Sequence, residues 1–244
     1  MIGPDYLTRG GHRLARRFRC GRGPALVFLP GYMSDMDGSK AAALDAWAAR
    51  EGRAMLRFDY AGCGLSDGDF EAQTLASWRD DALAMIDSLG GPAVLVGSSM
   101  GGWLMLLAAL ARPGRVAGLV GIAAAPDFTD WGFDPAQKAT IREAGRLEEP
   151  SPYGEAPYVT TRAFWESGES LKLLGGDIPV ECPVRLIHGL ADPDVPWTVS
   201  VRLMERLRSA DVQTLLLKDG DHRLSREADI ALLLRTVAAL LEKL

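Results

Sequence analysis

The most chemically informative part of the chain is residues 97–101, Gly-Ser-Ser-Met-Gly, which has the pattern Gly-x-Ser-x-Gly. It follows the apolar run 93–96 and precedes a helix-like segment, which is the strand-turn-helix setting of a nucleophile elbow. The central serine of such a turn has a strained backbone, and its neighbours two positions away must be small. Ser98 is the alternative nucleophile, but it occupies the variable position of the pattern. The spacing therefore predicts Ser99 as a nucleophile for acyl transfer.

A serine hydroxyl is a weak nucleophile at neutral pH and needs a base, which is most often histidine. The chain has three histidines. His12 precedes every apolar run of strand length, and His188 ends the run 184–187, where we expect a structural role in the turn. His222 follows the last apolar run, and it alone fits the chain order serine, acid, histidine. The sequence therefore predicts His222 as the general base.

The acid should lie between these two residues in sequence, at the end of a late strand. Asp192 comes first in the turn after the run 184–187, and we predict that it accepts the Nδ1–H of His222. Asp194 is the main alternative, and its other interpretation is a cap for the following helix. Asp127, after an earlier run, would serve in a variant layout.

An oxyanion needs two backbone N–H donors, one from the residue after the nucleophile and one from the loop after an earlier strand. The first is predicted to be Met100. The second lies in residues 29–33, Leu-Pro-Gly-Tyr-Met, where Tyr32 is the predicted donor and Met33 the alternative. Pro30 stands where some esterases have the histidine of a His-Gly-Gly-Gly run.

The elements that position these residues alternate along the chain. Six apolar runs predict strands, at 25–29, 55–58, 93–96, 116–122, 184–187 and 212–217. Amphipathic segments predict helices at 40–51, 75–89, 101–111, 198–209 and 225–244. This order predicts an α/β fold whose central sheet is mostly parallel, with helices on both faces. An antiparallel hairpin over 8–20, with Gly10 and Gly11 at its turn, is expected at one edge.

One segment, 127–182, interrupts this alternation and has no recognisable strand. It holds seven of the 18 aromatic residues, and its 11 acidic and 5 basic residues give it a net charge of −6. Because long insertions in compact domains are usually functional, we predict a partly helical cap over the strand ends. An acidic cap disfavours polyanionic substrates such as acyl-CoA. The alternative interpretation is that these charges simply form the solvated face of the cap helices.

The length of 244 residues fits a single domain, 1–244, that includes the cap. A net charge of −5 argues against nucleic acid as a partner, and no apolar stretch is long enough for a transmembrane helix. The beginning of the sequence lacks the pattern of a signal peptide, and three scattered cysteines argue against a disulfide framework. We therefore expect a cytoplasmic protein without a metal or organic cofactor. The oligomeric state is not indicated.

These motifs together resemble the alpha/beta-hydrolase superfamily. The resemblance is carried by the elbow, by the stretch 188–196 and by the turn 58–68, Phe-Asp-Tyr-x-Gly-x-Gly-x-Ser-Asp-Gly. Residues 28–34 and 96–106 are similar to the abhydrolase-ten family, mitochondrial palmitoyl-protein thioesterases that also hydrolyse acyl glucuronides. The resemblance implies that Ser99, Asp192 and His222 occupy the triad positions. The mitochondrial location is not carried over, since no transit-like extension is present.

The predicted function is that of a serine hydrolase acting on acyl thioesters or esters of small molecules or acylated proteins. The triad cannot distinguish the two bonds, because a thiol with a pKa near 8.5 needs little help to leave. A carboxylesterase, a lactonase or a carbon–carbon bond hydrolase on the same scaffold is the first alternative. A hydrolase-like receptor that binds ligand without turnover is the non-enzymatic alternative.

Overall fold

The fold is taken from a computed structural model that describes residues 3–150 and 157–244. Its strands are β1 (Asp5–Arg9), β2 (His12–Arg19), β3 (Arg22–Leu29), β4 (Arg53–Phe58), β5 (Ala93–Ser98), β6 (Val116–Ile122), β7 (Arg146–Glu149), β8 (Tyr158–Thr161), β9 (Val184–Gly189) and β10 (Val212–Leu217). Its helices are α1 (Ser39–Arg50), α2 (Leu75–Asp87), α3 (Met100–Ala111), α4 (Phe128–Trp131), α5 (Pro135–Ala144), α6 (Arg162–Ser170), α7 (Thr198–Arg206) and α8 (Glu227–Leu241).

The central sheet has eight strands in the order β1-β2-β4-β3-β5-β6-β9-β10. Strands β1, β2 and β4 pair antiparallel, and all later pairs, from β4–β3 to β9–β10, are parallel. The predicted mostly parallel α/β architecture and the edge hairpin are therefore confirmed. Because β3, β5, β9 and β10 run in the same direction, the loops that follow them meet at one edge of the sheet.

Two hydrophobic cores cover the faces of this sheet, which explains the continuous apolar runs. In β3, Val27 and Leu29 enter the core beneath α2 and α3, whereas Leu26 and Phe28 enter the core beneath α1 and α8. Successive side chains of a strand point to opposite faces, so a strand covered on both sides must be apolar throughout. Within the described residues, no helix is long and apolar enough to cross a membrane.

The segment between β6 and β9 contains the short helices α4, α5 and α6, and it also contains a two-stranded antiparallel sheet of β7 and β8. The prediction that this segment has no strand is therefore wrong. Each of these strands has four residues and is rich in polar side chains, so no apolar run marks them. Tyr153, one of the predicted cap aromatics, lies outside the described residues.

Candidate active site

Ser99 lies between β5 and α3, at the sharp turn that the sequence predicts. Its φ of 54° and ψ of −120° are unusual for a residue that carries a side chain. Its amide donates to the Ile122 carbonyl at 2.9 Å, and its carbonyl accepts from the amides of Gly102 and Ala125. Three hydrogen bonds from neighbouring elements therefore hold the strained conformation and leave the side chain of Ser99 at the surface of a cavity.

The two glycines of the elbow are required by close backbone contacts. A Cβ on Gly101 would lie 2.0 Å from the Leu29 carbonyl oxygen, and a Cβ on Gly97 would lie 2.3 Å from the carbonyl oxygen of Gly101. Both distances are far below van der Waals contact, and the opposing atoms are backbone atoms that cannot rotate away. The elbow thus allows no side chain at either position.

Gly101→Ala is expected to lower the free energy of unfolding by roughly 3 kcal/mol or more, because the new methyl group forces α3 away from β3. Gly114→Ala is the matched control, since a Cβ at Gly114 meets nothing within 4 Å. Urea denaturation of the two variants measures the difference. Equal stability of both variants would contradict the close packing of the elbow against β3.

The structure brings the three side chains predicted from the sequence together. His222 Nε2 lies 3.1 Å from Ser99 Oγ, and His222 Nδ1 lies 2.8 Å from Asp192 Oδ2. Ser99 follows β5, Asp192 follows β9 and His222 follows β10, so parallel strands deliver all three to one edge. Because Asp192 carries no proton to donate, His222 Nδ1 donates and Nε2 is left to accept from the serine hydroxyl.

Asp192 is held as an acceptor on both carboxylate oxygens. Oδ1 accepts hydrogen bonds from the backbone amides of Asp194 and Val195, at 2.9 and 2.8 Å. Oδ2 lies 2.8 Å from Nδ1 of His222 and 3.3 Å from Nε2 of His188. Burial acts to raise the pKa of this carboxyl group, but the hydrogen bonds from His188, His222 and the Val195 amide outweigh it. The pKa of Asp192 therefore lies well below its usual range, and this carboxylate is poorly suited to take the proton of His222.

The two alternative acids occupy different environments. Both carboxylate oxygens of Asp127 accept backbone amides, from Leu173 and Leu174, so this side chain ties α4 to the segment before β9. Asp194 is exposed, and the helix-capping interpretation is wrong for it, because the N-cap residue of α7 is Trp197. The Nδ1 atom of His222 bonds to Asp192, the acid that comes first in the turn.

Asp192, Asp194 and His222 also offer possible metal-ligand atoms within 4.8 Å of one another. Two of these three residues already bond to each other, and both oxygens of Asp192 accept hydrogen bonds. We therefore assign this group to the hydrogen-bonded chain of Ser99 rather than to a metal site.

Two backbone segments adjoin Ser99 and carry the predicted oxyanion donors, Met100 and Tyr32. Met100 is the first residue of α3, so its amide has no intrahelical acceptor. Gly31 packs close to the elbow, because a Cβ there would lie 3.4 Å from the Cβ of Ser99. This contact brings the loop that carries Tyr32 and Met33 against the nucleophile, and both residues line the same cavity.

The Tyr32 side chain has a second role that the sequence did not indicate. Its hydroxyl donates to the Val159 carbonyl in β8, and its ring contacts Phe128, Tyr158 and Phe164. The residue whose amide is the candidate oxyanion donor is therefore anchored in the segment 127–182. Burial raises the pKa of the Tyr32 hydroxyl above its ordinary value, so this group stays a neutral donor.

A cavity of about 550 Å³ opens over Ser99. Four aromatic residues of the segment 127–182 line it: Phe128, Trp131, Phe133 and Tyr158. Its lining also includes polar residues, among them Ser34, Asp35, Lys40 and Arg223. This size and the aromatic lining are typical of sites for small organic ligands.

Lys40 is a site residue that no sequence motif marks. Its Nζ donates to the Arg223 carbonyl at 2.5 Å and so ties α1 to the loop of His222. Burial, assisted by the positive charge of Arg223, lowers the pKa of Lys40 from 10.5 to about 8. Asp221 and Asp229 oppose this shift. Only the folded arrangement of α1 against the loop could reveal this contact.

Lys40→Met is expected to flatten the pH dependence of stability between about pH 8 and 10.5. In that window the unfolded chain binds a proton on Lys40 that the folded protein has lost, so wild-type stability rises with pH. The variant should be more stable than wild type at pH 7, by about 1 kcal/mol after allowance for solvent screening. Chemical denaturation at pH 7, 9 and 10.5 measures this, and a pH-independent difference between the two proteins would refute it.

Comparisons with known proteins extend the similarity beyond the motifs. A model of the alpha/beta hydrolase family matches residues 26–239. A human protein named palmitoyl-protein thioesterase ABHD10, mitochondrial, is 44% identical over 229 residues, which are 92% of this chain and 75% of that protein. The structure of mouse alpha/beta hydrolase domain-containing protein 10 matches with a TM-score of 0.93 at 41% identity, over 99% of both chains. A putative hydrolase from Agrobacterium vitis S4 matches with a TM-score of 0.91 at 37% identity, over 99% of this chain and 98% of that one.

The same comparisons correct the predicted cytoplasmic location. The relatives from Homo sapiens, Pongo abelii and Bos taurus are all named as mitochondrial proteins, which contradicts that prediction. The three cysteines, Cys20, Cys63 and Cys182, are indeed unpaired. Unpaired cysteines do not distinguish one compartment of the cell from another, so they could not support the predicted cytoplasmic location.

Proposed function

Since this chain belongs to the alpha/beta hydrolase family, we propose that it is a serine hydrolase that cleaves acyl thioesters or esters with Ser99, His222 and Asp192. The observation that carries the proposal is the continuous chain of hydrogen bonds from Ser99 Oγ through His222 to the buried carboxylate of Asp192. A serine, a base and an acid linked in this order form the arrangement that activates a hydroxyl for acyl transfer.

In the first step, Ser99 Oγ attacks the substrate carbonyl carbon and His222 Nε2 takes the hydroxyl proton. The amides of Met100 and Tyr32 donate to the negatively charged oxygen of the tetrahedral intermediate, a contribution worth roughly 10²–10³ in turnover per donor. The imidazolium of His222 is stabilised by Asp192, which keeps its negative charge. Collapse of the intermediate breaks the bond to the thiol or alcohol, which leaves with the proton from His222.

In the second step, water attacks the acyl group on Ser99 while His222 accepts one of its protons. The new tetrahedral intermediate collapses to release a carboxylic acid, and His222 returns the proton to Ser99 Oγ. The cycle thus consumes one water, releases one acid and one thiol or alcohol, and restores the enzyme. None of these steps draws on a metal ion or an organic cofactor.

The segment 127–182 supports the choice of substrate. We propose that it is a cap whose aromatic side chains, including Phe128 and Trp131, receive the acyl chain, since they line the cavity that opens over Ser99. Relatives that are more than 40% identical are named as palmitoyl-protein thioesterases. Together these points favour an apolar acyl group on a cysteine thiol, with small esters as further substrates.

A matched pair of peptides tests this proposal: one sequence carrying S-palmitoyl cysteine and the same sequence carrying O-palmitoyl serine. We expect turnover of both, with the thioester at least as fast because its thiolate leaves with little help from an acid. p-Nitrophenyl esters of increasing chain length test whether the aromatic lining of the cavity receives the acyl chain. A lactone and a dione test the alternative reactions. Turnover that persists in Ser99→Ala, or a folded wild type that cleaves neither peptide nor any p-nitrophenyl ester, would refute the proposal.

A further inference from the structure

His188 is a fully buried histidine at the end of β9, four residues before Asp192, and the reaction described above does not use it. Its Nε2 lies 3.0 Å from the Val195 carbonyl oxygen and 3.3 Å from Asp192 Oδ2. Its Nδ1 lies 2.7 Å from Oγ of Ser200, which is also buried. A titratable side chain with partners on both ring nitrogens thus stands directly behind the candidate acid.

These partners determine where the proton of the imidazole lies. A backbone carbonyl can only accept, so Nε2 of His188 must carry a hydrogen. The Ser200 hydroxyl can donate to Nδ1 and keep that proton on Nε2. The Nε2–H therefore bonds to the Val195 carbonyl, and the same nitrogen lies 3.3 Å from Oδ2 of Asp192, the oxygen that accepts from His222.

We propose that His188 is a positioning residue that holds Asp192 with its Oδ2 facing Nδ1 of His222. The inference rests on the proposed function of Ser99, His222 and Asp192. The amides of Asp194 and Val195 fix Oδ1, and His188 supplies the contact on the opposite oxygen, so rotation of the carboxylate would break bonds at both ends. His188 also draws electron density from the carboxylate of Asp192, the group that stabilises the imidazolium formed on His222 during the reaction.

Charged side chains near His222 in the described residues belong to two loops and to α1, and none of them is removed when His188 is changed. Asp192 and Asp194 belong to the loop after β9, and Asp221 and Arg223 flank His222 in its own loop. Lys40 reaches that loop from α1 through the Arg223 carbonyl. A change in the pH profile of activity that follows substitution of His188 therefore reports on the link through Asp192.

His188→Asn and His188→Gln form a matched pair for the test. The amide of glutamine reaches the place of Nε2 and can still donate to Asp192, whereas the shorter asparagine reaches only the place of Nδ1. We expect His188→Asn to lower kcat about tenfold, a small part of the roughly 10⁴-fold effect of neutralising the acid, with KM nearly unchanged. The acid limb of the pH profile of kcat/KM should move upward by roughly half a pH unit, the size expected for one hydrogen bond.

His188→Gln should restore the acid limb to the wild-type position and recover most of kcat, at a thermal midpoint similar to that of His188→Asn. In an Asp192→Asn background, His188→Asn should have little further effect. The proposal is overturned if both variants lose the same activity without movement of the acid limb, or if the effects of His188 and Asp192 are fully additive. These outcomes concern only His188, whereas activity that survives in Ser99→Ala would refute the proposed function itself.

Discussion

Ser99→Ala is expected to lower kcat for a p-nitrophenyl ester roughly 10⁶-fold, the loss seen when the nucleophile of such a triad is removed. Without Oγ no acyl-enzyme can form, and only the oxyanion donors and substrate binding continue to act on direct attack by water. The protein should remain folded, because the Ser99 side chain contacts His222 in a partly exposed site and makes no capping bond to α3. Purified variant, assayed with a large excess of enzyme, gives the residual rate.

Ser98→Ala is the matched control, since Ser98 is the neighbouring hydroxyl and lies at the end of β5. We expect its kcat to stay within a few-fold of wild type. A fluorophosphonate probe should label wild type and Ser98→Ala but not Ser99→Ala. His222→Ala should cost about as much as Ser99→Ala, and the double variant no more, because the residues of a triad act as a unit. Loss of labelling in Ser98→Ala but not in Ser99→Ala would identify Ser98 as the nucleophile instead.

Asp192→Asn is expected to lower kcat roughly 10⁴-fold while the site keeps its shape. The asparagine NH₂ group would donate a hydrogen bond to His222 Nδ1. The ring proton would then lie on Nε2, which could not take a proton from Ser99. The negative charge that stabilises the imidazolium would also be lost. The loss should appear in kcat and leave KM nearly unchanged.

Asp194→Asn makes the same chemical change two residues away, on an exposed side chain that lines the same cavity. We expect kcat to fall less than tenfold, because the carboxylate that accepts from His222 Nδ1 is that of Asp192. Far-UV circular dichroism and a thermal midpoint for both variants separate misfolding from chemistry. Equal losses from the two substitutions, or a larger loss from Asp194→Asn, would contradict the assignment of the acid.

Much of the fold was predictable because its determinants are local. Strands β3, β5 and β6 were located from uninterrupted apolar runs, which arise because helices cover both faces of a parallel sheet. The hairpin of β1 and β2 was located from the paired glycines Gly10 and Gly11, both of which have positive φ. In each case a short stretch of sequence contains the whole signal.

The strands β7 and β8 were missed because their signal is not local. Each has only four residues, and polar side chains such as Glu148 and Thr160 dominate. Their pairing depends on a partner strand elsewhere in the segment and on the packing of Tyr32 against β8. No apolar period in the sequence could predict that arrangement.

By itself, the sequence determined which residues were candidates for chemistry and in what order they occur. The elbow around Ser99, the acidic turn at Asp192 and the late His222 are each marked by their neighbours in the chain. The distances between them were decided by the order of the parallel strands, which brings residues 123 and 30 positions apart into hydrogen-bond contact.

Tertiary structure alone also decided the supporting residues. His188 faces Asp192, the Tyr32 side chain is anchored in β8, and Lys40 bonds the loop of His222. The contacts of Tyr32 and Lys40 follow from no motif, because each joins separate elements of the fold. His188 and Asp192 both belong to the motif 188–196, but only the folded turn shows which of their atoms meet. Residue type and spacing identify the groups that can react, whereas packing selects which oxygen or nitrogen each of them faces.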